Sequence, residues 1–571
     1  MSRWVGEQIS THLTHLLTYI THSPTLNHSM PDTLLALESF SVTYPGQGDR
    51  AVDRVSLDLS PGEKLGLVGE SGCGKSTLGR AALRLLPQAT ELQGRVWFNG
   101  ESVLDFSPQR LRRFRGEAIA LIFQDPMTRL NPLMTIGDHC IETLQAHHSE
   151  VSHGEAKARA IAVLEKVNIP ASRFGQYPHE FSGGMRQRVA IALAMILEPK
   201  LIIADEPTTS LDVTVSAQIL DELTRLCDEL GTALVLISHD LSLVAEYCDR
   251  VAVMYKGRIV EEGTAAAVFQ DPQDDYTRSL VESALEMQQA EGLAYTASAV
   301  DPILRLTDVK QHYTLEANPI ARLLGGQTSK VIKAVDGVTL EIYPGEVVGL
   351  VGESGCGKST LSRTILQLVK PTAGQVVFDG TDLTTLSREA MRQQRRQLQM
   401  VFQDPHACLN PMMTVGKSIA DPLLIHGLAT VAEAEKQAHD MLARVSLNPT
   451  ADFFDRFPGD LSGGQQQRVA IARALITHPK LVVCDEPVSM LDATVQTQVL
   501  DLMIALKHEF DLTYLFITHD LWVARFMCDR IAVMQQGKIV EIAPTKTLFA
   551  SPQHPYTQTL LQAVPVLATG V

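Results

Sequence analysis

The sequence predicts an α/β protein built from two tandem copies of one unit. Three observations predict it. The thirteen residues GLVGESGCGKSTL stand at 66–78 and return unchanged at 349–361. Each copy follows a short apolar run, Lys64–Val68 or Val347–Val351, and precedes a helix-compatible stretch, which is the strand, glycine loop, helix order that a phosphate cradle requires. Downstream, Ser182 and Ser462, Asp205 and Asp485, His239 and His519, and Tyr276 and Tyr556 are each 280 residues apart. A chain of 571 residues is too long for one core, and the repeat divides it.

The glycine loops come first in chemical weight. Gly69, Ser71, Gly72, Gly74, Lys75, Ser76 and Thr77 form one, and Gly352, Ser354, Gly355, Gly357, Lys358, Ser359 and Thr360 the other. Such a loop wraps backbone N–H groups around phosphates, sets the lysine ammonium against β/γ oxygens and offers Ser76 or Ser359 to Mg²⁺. Its glycines let the backbone adopt angles that a Cβ forbids. Cys73 and Cys356 lie inside the loops, either facing the nucleotide or acting as small buried fillers.

Ahead of each loop stands an aromatic residue. Tyr44, in SVTYPG, is placed either to stack on an adenine ring or to end a strand at a turn, and Tyr313 holds the corresponding place. The longer distance from Tyr313 to its loop comes from residues 317–330, read as a surface insertion.

After each loop an apolar strand ends in glutamine, at Leu121-Ile-Phe-Gln124 and Met400-Val-Phe-Gln403. A neutral amide at the carboxyl edge of a sheet reaches a metal or a water beside the γ-phosphate. Proline-punctuated segments, Leu130-Asn-Pro and Leu409-Asn-Pro, then read as moving connections. Ser182-Gly183-Gly184 and Ser462-Gly463-Gly464 each open an apolar helix, giving a hydroxyl, free N–H groups and a positive dipole end to an anion.

Buried strands Leu201–Ala204 and Leu481–Cys484 deliver two acids apiece. The first, Asp205 or Asp485, is placed to hold Mg²⁺; the second, Glu206 or Glu486, is the candidate base that orients attacking water. Ser210-Leu-Asp212 and Met490-Leu-Asp492 follow, with Asp212 and Asp492 as further nucleotide-site candidates. His239 and His519, just past another strand, are candidate donors to the γ-phosphate.

Composition removes other classes. A net charge of −16 disfavours a nucleic-acid-binding surface. The longest apolar run, Val189–Leu197, spans about nine residues against the roughly 18 to 20 that cross a bilayer, so no transmembrane segment is expected. The eight cysteines are scattered without a C-x-x-C pair, which disfavours a disulfide framework or a zinc site. Residues 1–30 read as a poorly ordered extension, with Met30 as an alternative start, or as a membrane-lying or partner-binding helix around Thr11–Ile20.

With these motifs in order, nearly the whole chain resembles the ATP-binding-cassette ATPases. The strings FQDP, LNPxMT and SPQHPYT (551–557) resemble the subfamily that powers import of peptides and related solutes, including nickel, with two subunits fused. The resemblance implies two P-loop NTPase domains at 31–285 and 303–571 with a linker at 286–302, each holding a RecA-like α/β core, an antiparallel β-subdomain and a helical signature subdomain. It implies head-to-tail closure with ATP sandwiched twice: the first phosphate loop against Ser462, Gly463 and Gly464, the second against Ser182, Gly183 and Gly184. It further implies ATP and Mg²⁺ as cofactors, two membrane-spanning permease subunits docking at the Gln124 and Gln403 loops, a solute-binding protein acting through them, and a cytoplasmic, peripheral position on the inner membrane face. No nucleic-acid partner is expected.

Departures from the family pattern are Phe181 before Ser-Gly-Gly, Asp274-Asp275 before Tyr276, Gly459-Asp460, and Ser210 and Met490 before Leu-Asp. None removes a phosphate, metal or base residue, so two competent sites are expected. No cysteine lies between Cys248 and Cys356, so the iron–sulfur centre carried by some relatives of the first half is not expected. The competing readings are a soluble tandem ATPase acting on ribosomes or DNA, which the short, mild linker disfavours, and a non-hydrolysing scaffold, which both glutamates and both lysines disfavour.

Overall fold

A computed structural model describes residues 33–46, 48–125, 129–209, 211–290, 300–315 and 330–567. The expectations for residues 1–30, for Ser210 and for most of the 317–330 insertion fall outside them. The first half contributes β1 (Leu35–Thr43), β2 (Val52–Leu59), β3 (Lys64–Val68), β4 (Glu91–Phe98), β5 (Glu101–Ser102), β6 (Ile119–Ile122), β7 (Leu201–Asp205), β8 (Ala233–Ile237), β9 (Arg250–Tyr255) and β10 (Arg258–Thr264). They form an antiparallel sheet ordered β2-β1-β4-β5 and a six-stranded sheet ordered β10-β9-β3-β8-β7-β6, parallel except at the β9–β10 edge.

The second half repeats this. Its strands are β11 (Leu304–Leu315), β12 (Lys330–Ile342), β13 (Val347–Val351), β14 (Ala373–Phe378), β15 (Thr381–Asp382), β16 (Leu398–Val401), β17 (Leu481–Asp485), β18 (Thr513–Ile517), β19 (Arg530–Gln535) and β20 (Lys538–Pro544). Their sheets are ordered β12-β11-β14-β15 and β16-β17-β18-β13-β19-β20.

β7, β8, β13, β17 and β18 are buried along their whole length, as continuous apolar runs in a parallel sheet covered on both faces should be. That arrangement brings the carboxyl ends of β3, β6, β7 and β8 together, and a ligand in an open α/β sheet sits beyond those ends. Helices 136–147, 153–166 and 183–195 pack on one another in the first half and share a core with its parallel sheet, matched by 415–425, 431–444 and 463–475.

The halves exchange their C-terminal ends. The helix Asp275–Gln289 runs through the first residues expected to be linker, and its Met287 is buried in the core of the second half. Reciprocally, Leu567 is buried in the core of the first half. No helix among the described residues is long and apolar enough to cross a membrane.

Candidate active site

Each glycine loop is tight enough to explain its glycines. Gly74 has φ +107, and a Cβ there would meet the Ala51 carbonyl oxygen at 2.3 Å; Gly357, at φ +110, would meet that of Ala334 at 2.0 Å. Behind the loop, Lys75 Nζ donates to the Gly69 and Glu70 carbonyls at 2.6 and 2.8 Å. Lys358 repeats this on Gly352 and Glu353 at 2.6 and 3.0 Å. Both ammonium groups are buried and held by neutral partners, the carbonyls and the sulfur of Cys73 or Cys356, a position from which an anion in the cradle would draw them.

The residues expected to hold the metal meet in both halves. Ser76 Oγ donates to Asp205 Oδ1 at 2.6 Å, and Ser359 Oγ to Asp485 Oδ1 at 3.2 Å. Hydroxyl, carboxylate and the nearby Gln124 or Gln403 amide are all-oxygen donors, which suits Mg²⁺. Arg80, which sequence reasoning passed over, also reaches Asp205, Nη2 to Oδ2 at 3.3 Å.

The glutamates next to these acids are the most constrained residues of the site. Glu206 and Glu486 have φ +49 and +50, a left-handed conformation that glutamate seldom adopts. Each is held there by its N–H, which donates to Ile237 or Ile517 at 2.9 Å. Gln124 Nε2 donates to Glu206 Oε2 and Gln403 Nε2 to Glu486 Oε2, both at 2.7 Å. His239 Nδ1 lies 3.6 Å from Glu206, and His519 Nδ1 3.2 Å from Glu486. Thr209 Oγ1 adds a bond to Glu206 Oε2 at 2.9 Å, a contact without a motif signal. Burial pushes Glu206 up, but the bond and charge of His239 with Thr209 and Lys75 outweigh it and hold the carboxyl below its ordinary value. For His239 the opposing effects are burial, which lowers it, and Glu206, which prevails and raises it. The same balance holds for Glu486 and His519.

A cavity of about 660 Å³ opens where the halves meet. The first loop (Ser71 to Thr77), Gln124, Glu206 and His239 line one side; Met490, Leu491, Asp492 and His519 line the other. The Asp492 carboxylate accepts the Ser71 N–H across the interface. Across the second interface Thr214 Oγ1 donates to Glu353 Oε1 at 3.1 Å. Ser182–Gly184 and Ser462–Gly464 do not line this cavity. They abut their own Leu-Asp turns instead: a Cβ on Gly183 would meet Leu211 at 3.2 Å, and one on Gly463 would meet Leu491 at 3.8 Å.

Of the aromatic pair, Tyr44 is drawn to its loop, its hydroxyl 3.1 Å from Thr77 Oγ1, whereas Tyr313 is 40% exposed and pairs with Ile332 across β11 and β12. Cys73 and Cys356 are buried, and burial pushes both thiols up although Lys75 and Lys358 pull the other way.

Residues 52–209 and 335–489 match the family described as ABC transporter, and 260–307 and 540–570 match the oligopeptide/dipeptide transporter C-terminal region. The chain is 40% identical over 561 residues, 93% of its length and 90% of the relative's, to the glutathione import ATP-binding protein GsiA of Salmonella typhimurium, and equally so to that of Escherichia coli. A dimeric bacterial ABC transporter cassette of known structure is 32% identical, covering 42% of this chain and 98% of its own, with a TM-score of 0.37. The chain belongs to the ATP-binding-cassette transporter ATPases.

Proposed function

We propose that this ATPase is the energy-coupling subunit of an importer for peptides or a related small solute, a class that includes glutathione. The observation that carries the reading is the pairing of Glu206 with Gln124 and His239, and of Glu486 with Gln403 and His519, beside two intact phosphate loops. The relatives named for glutathione import and the match to the oligopeptide/dipeptide transporter region support the direction and the solute class.

In this reading the backbone of Ser71 to Ser76 and the Lys75 ammonium would hold the β- and γ-phosphates, with Ser359, Lys358 and their neighbours doing so in the second half. Ser76 with Asp205, and Ser359 with Asp485, would hold Mg²⁺, which supplies charge neutralisation of the phosphates. Glu206 accepts the proton of the attacking water at its carboxylate, Gln124 fixes the Oε2 end of that carboxylate, and His239 fixes the other. Ser462–Gly464 and Ser182–Gly184 complete the sites as the cassettes close. Two membrane-spanning permeases dock beside the Gln124 and Gln403 loops and link the subunit to a solute-binding protein, holding it on the inner membrane face.

Co-expression with the permeases tests this. Membrane co-purification with solute-stimulated phosphate release is expected. Partition with ribosomes, or no phosphate release from the assembled complex, would overturn it.

A further inference from the structure

Tyr276 and Tyr556 mark the repeat in the sequence, yet the hydrolysis scheme gives them no part. Both hydroxyls reach the phosphate loops: the Glu70 N–H donates to Tyr276 Oη at 2.9 Å and the Glu353 N–H to Tyr556 Oη at 3.1 Å. Glu70 and Glu353 are the residues whose carbonyls hold Lys75 and Lys358. Each tyrosine therefore fixes the N–H of a peptide whose own carbonyl, Gly69 or Gly352, also accepts from the lysine. Each also sits in the first turn of a helix with a firm start, Asp274 Oδ1 accepting from Tyr276 N and His554 Nδ1 from Tyr556 N. Tyr276 is further stacked on Tyr255, centroids 4.2 Å apart.

The far end of the first helix lies on the other cassette, and the chain beyond the second reaches back to the first half, where Leu567 is buried. A helix of 15 residues covers about 22 Å. At the end of the first, Met287 enters the second half's core and the Ala290 carbonyl accepts from Arg525 Nε at 2.7 Å. Gln288 is buried, donates to Ser242 Oγ at 3.0 Å and accepts the Leu567 N–H at 3.2 Å. Beyond the second helix, Val564 and Pro565 face Leu243 and Tyr247 of the first half.

We propose that Tyr276 and Tyr556 are positioning residues for the two nucleotide sites, Tyr276 tying its phosphate loop to a helix whose far end is seated on the opposite cassette, Tyr556 tying its own to a helix whose following residues reach it. Loop geometry and cassette contact are then linked through one rod per site. This rests on the reading of the two loops as ATP sites.

The test uses full-length protein carrying Glu206→Gln and Glu486→Gln, so that ATP binds without turnover, with Tyr276→Phe and Tyr556→Phe added singly and together. Phenylalanine keeps the ring and the Tyr255 stack and removes only the acceptor. ATP dissociation constants are expected to rise about five- to tenfold at the altered site as the loop loses its anchor, while the nucleotide-free melting temperature falls by no more than a few degrees, the loss of one hydrogen bond. Hydrogen exchange over residues 281–290 should slow with saturating ATP in the parent and not in Tyr276→Phe. A dissociation constant within twofold of the parent overturns the positioning role. A weakened site whose residues 281–290 still respond fully to ATP overturns the linkage. A parent that binds no ATP overturns the nucleotide reading itself, a separate result.

Discussion

Asp492 and Asp212 occupy equivalent places and do different work. Asp492 accepts the Ser71 N–H of the opposite phosphate loop, whereas Asp212 caps its own helix, accepting from Val215 N at 3.0 Å. Removing a cap costs about 1 kcal/mol of stability. Asp212→Ala is therefore expected to lower the melting temperature. Asp492→Ala is expected to leave it in place and to cut phosphate release at the first site several-fold, read in a Glu486→Gln background. Equal effects of the two variants on both measurements would contradict the assignment.

The two glutamates predict a separation of binding from turnover. Gln at 206 or 486 retains the shape and loses the basic carboxylate, so steady-state hydrolysis should fall by about 10² or more with both replaced, while ATP affinity stays within a few-fold. Each single variant keeps one intact set of Gln, Glu and His, and is expected to retain measurable hydrolysis. Phosphate release and equilibrium nucleotide binding on the same preparations decide it.

The residues of each half-site were legible because they are local: a strand end, a glycine loop or a helix start announces itself within a few positions. Gln124, Asp205, Glu206 and His239 come together because parallel strands deliver their carboxyl ends to one edge. The left-handed backbone of Glu206 was not legible, since it is imposed by the Ile237 carbonyl from a neighbouring strand. Nor were the bonds from Ser71 to Asp492 and from Thr214 to Glu353, which depend on how the two halves meet. Tyr276 and Tyr556 show the limit well: the repeat singled them out, but their partners lie about 200 residues upstream.

Asp529 supplies a pH test away from the nucleotide. It is buried, accepts the Val347 N–H at 2.7 Å, and burial pushes its carboxyl up to about 6 from 3.8. A raised carboxyl means that the folded state binds the proton more tightly than the unfolded one, so stability falls as pH rises from 3.8 towards 6 and the cost is constant above that. Asparagine keeps an acceptor oxygen and carries no charge. Asp529→Asn should therefore gain on the wild type by about 1.4 kcal/mol between about pH 5 and pH 7.5. Denaturation midpoints of both proteins at the two pH values measure this, and a difference independent of pH would refute it.

Gly74 and Gly357 set the sharpest structural expectation. A methyl group at either position meets a backbone carbonyl at 2.3 or 2.0 Å, and the terminal methyl of Met254 or Met534 at 2.9 or 3.0 Å. The methionine can move, but the carbonyls of Ala51 and Ala334 belong to the strand-side backbone next to the loop and cannot retreat without shifting it. The positive φ adds strain that alanine bears and glycine does not. Gly74→Ala is expected to abolish ATP binding at the first site and to cost on the order of 2 kcal/mol of stability. Binding at the second site should persist, so titration calorimetry should report a stoichiometry falling from two to one; two sites of undiminished affinity would show that the loop accommodates a Cβ after all.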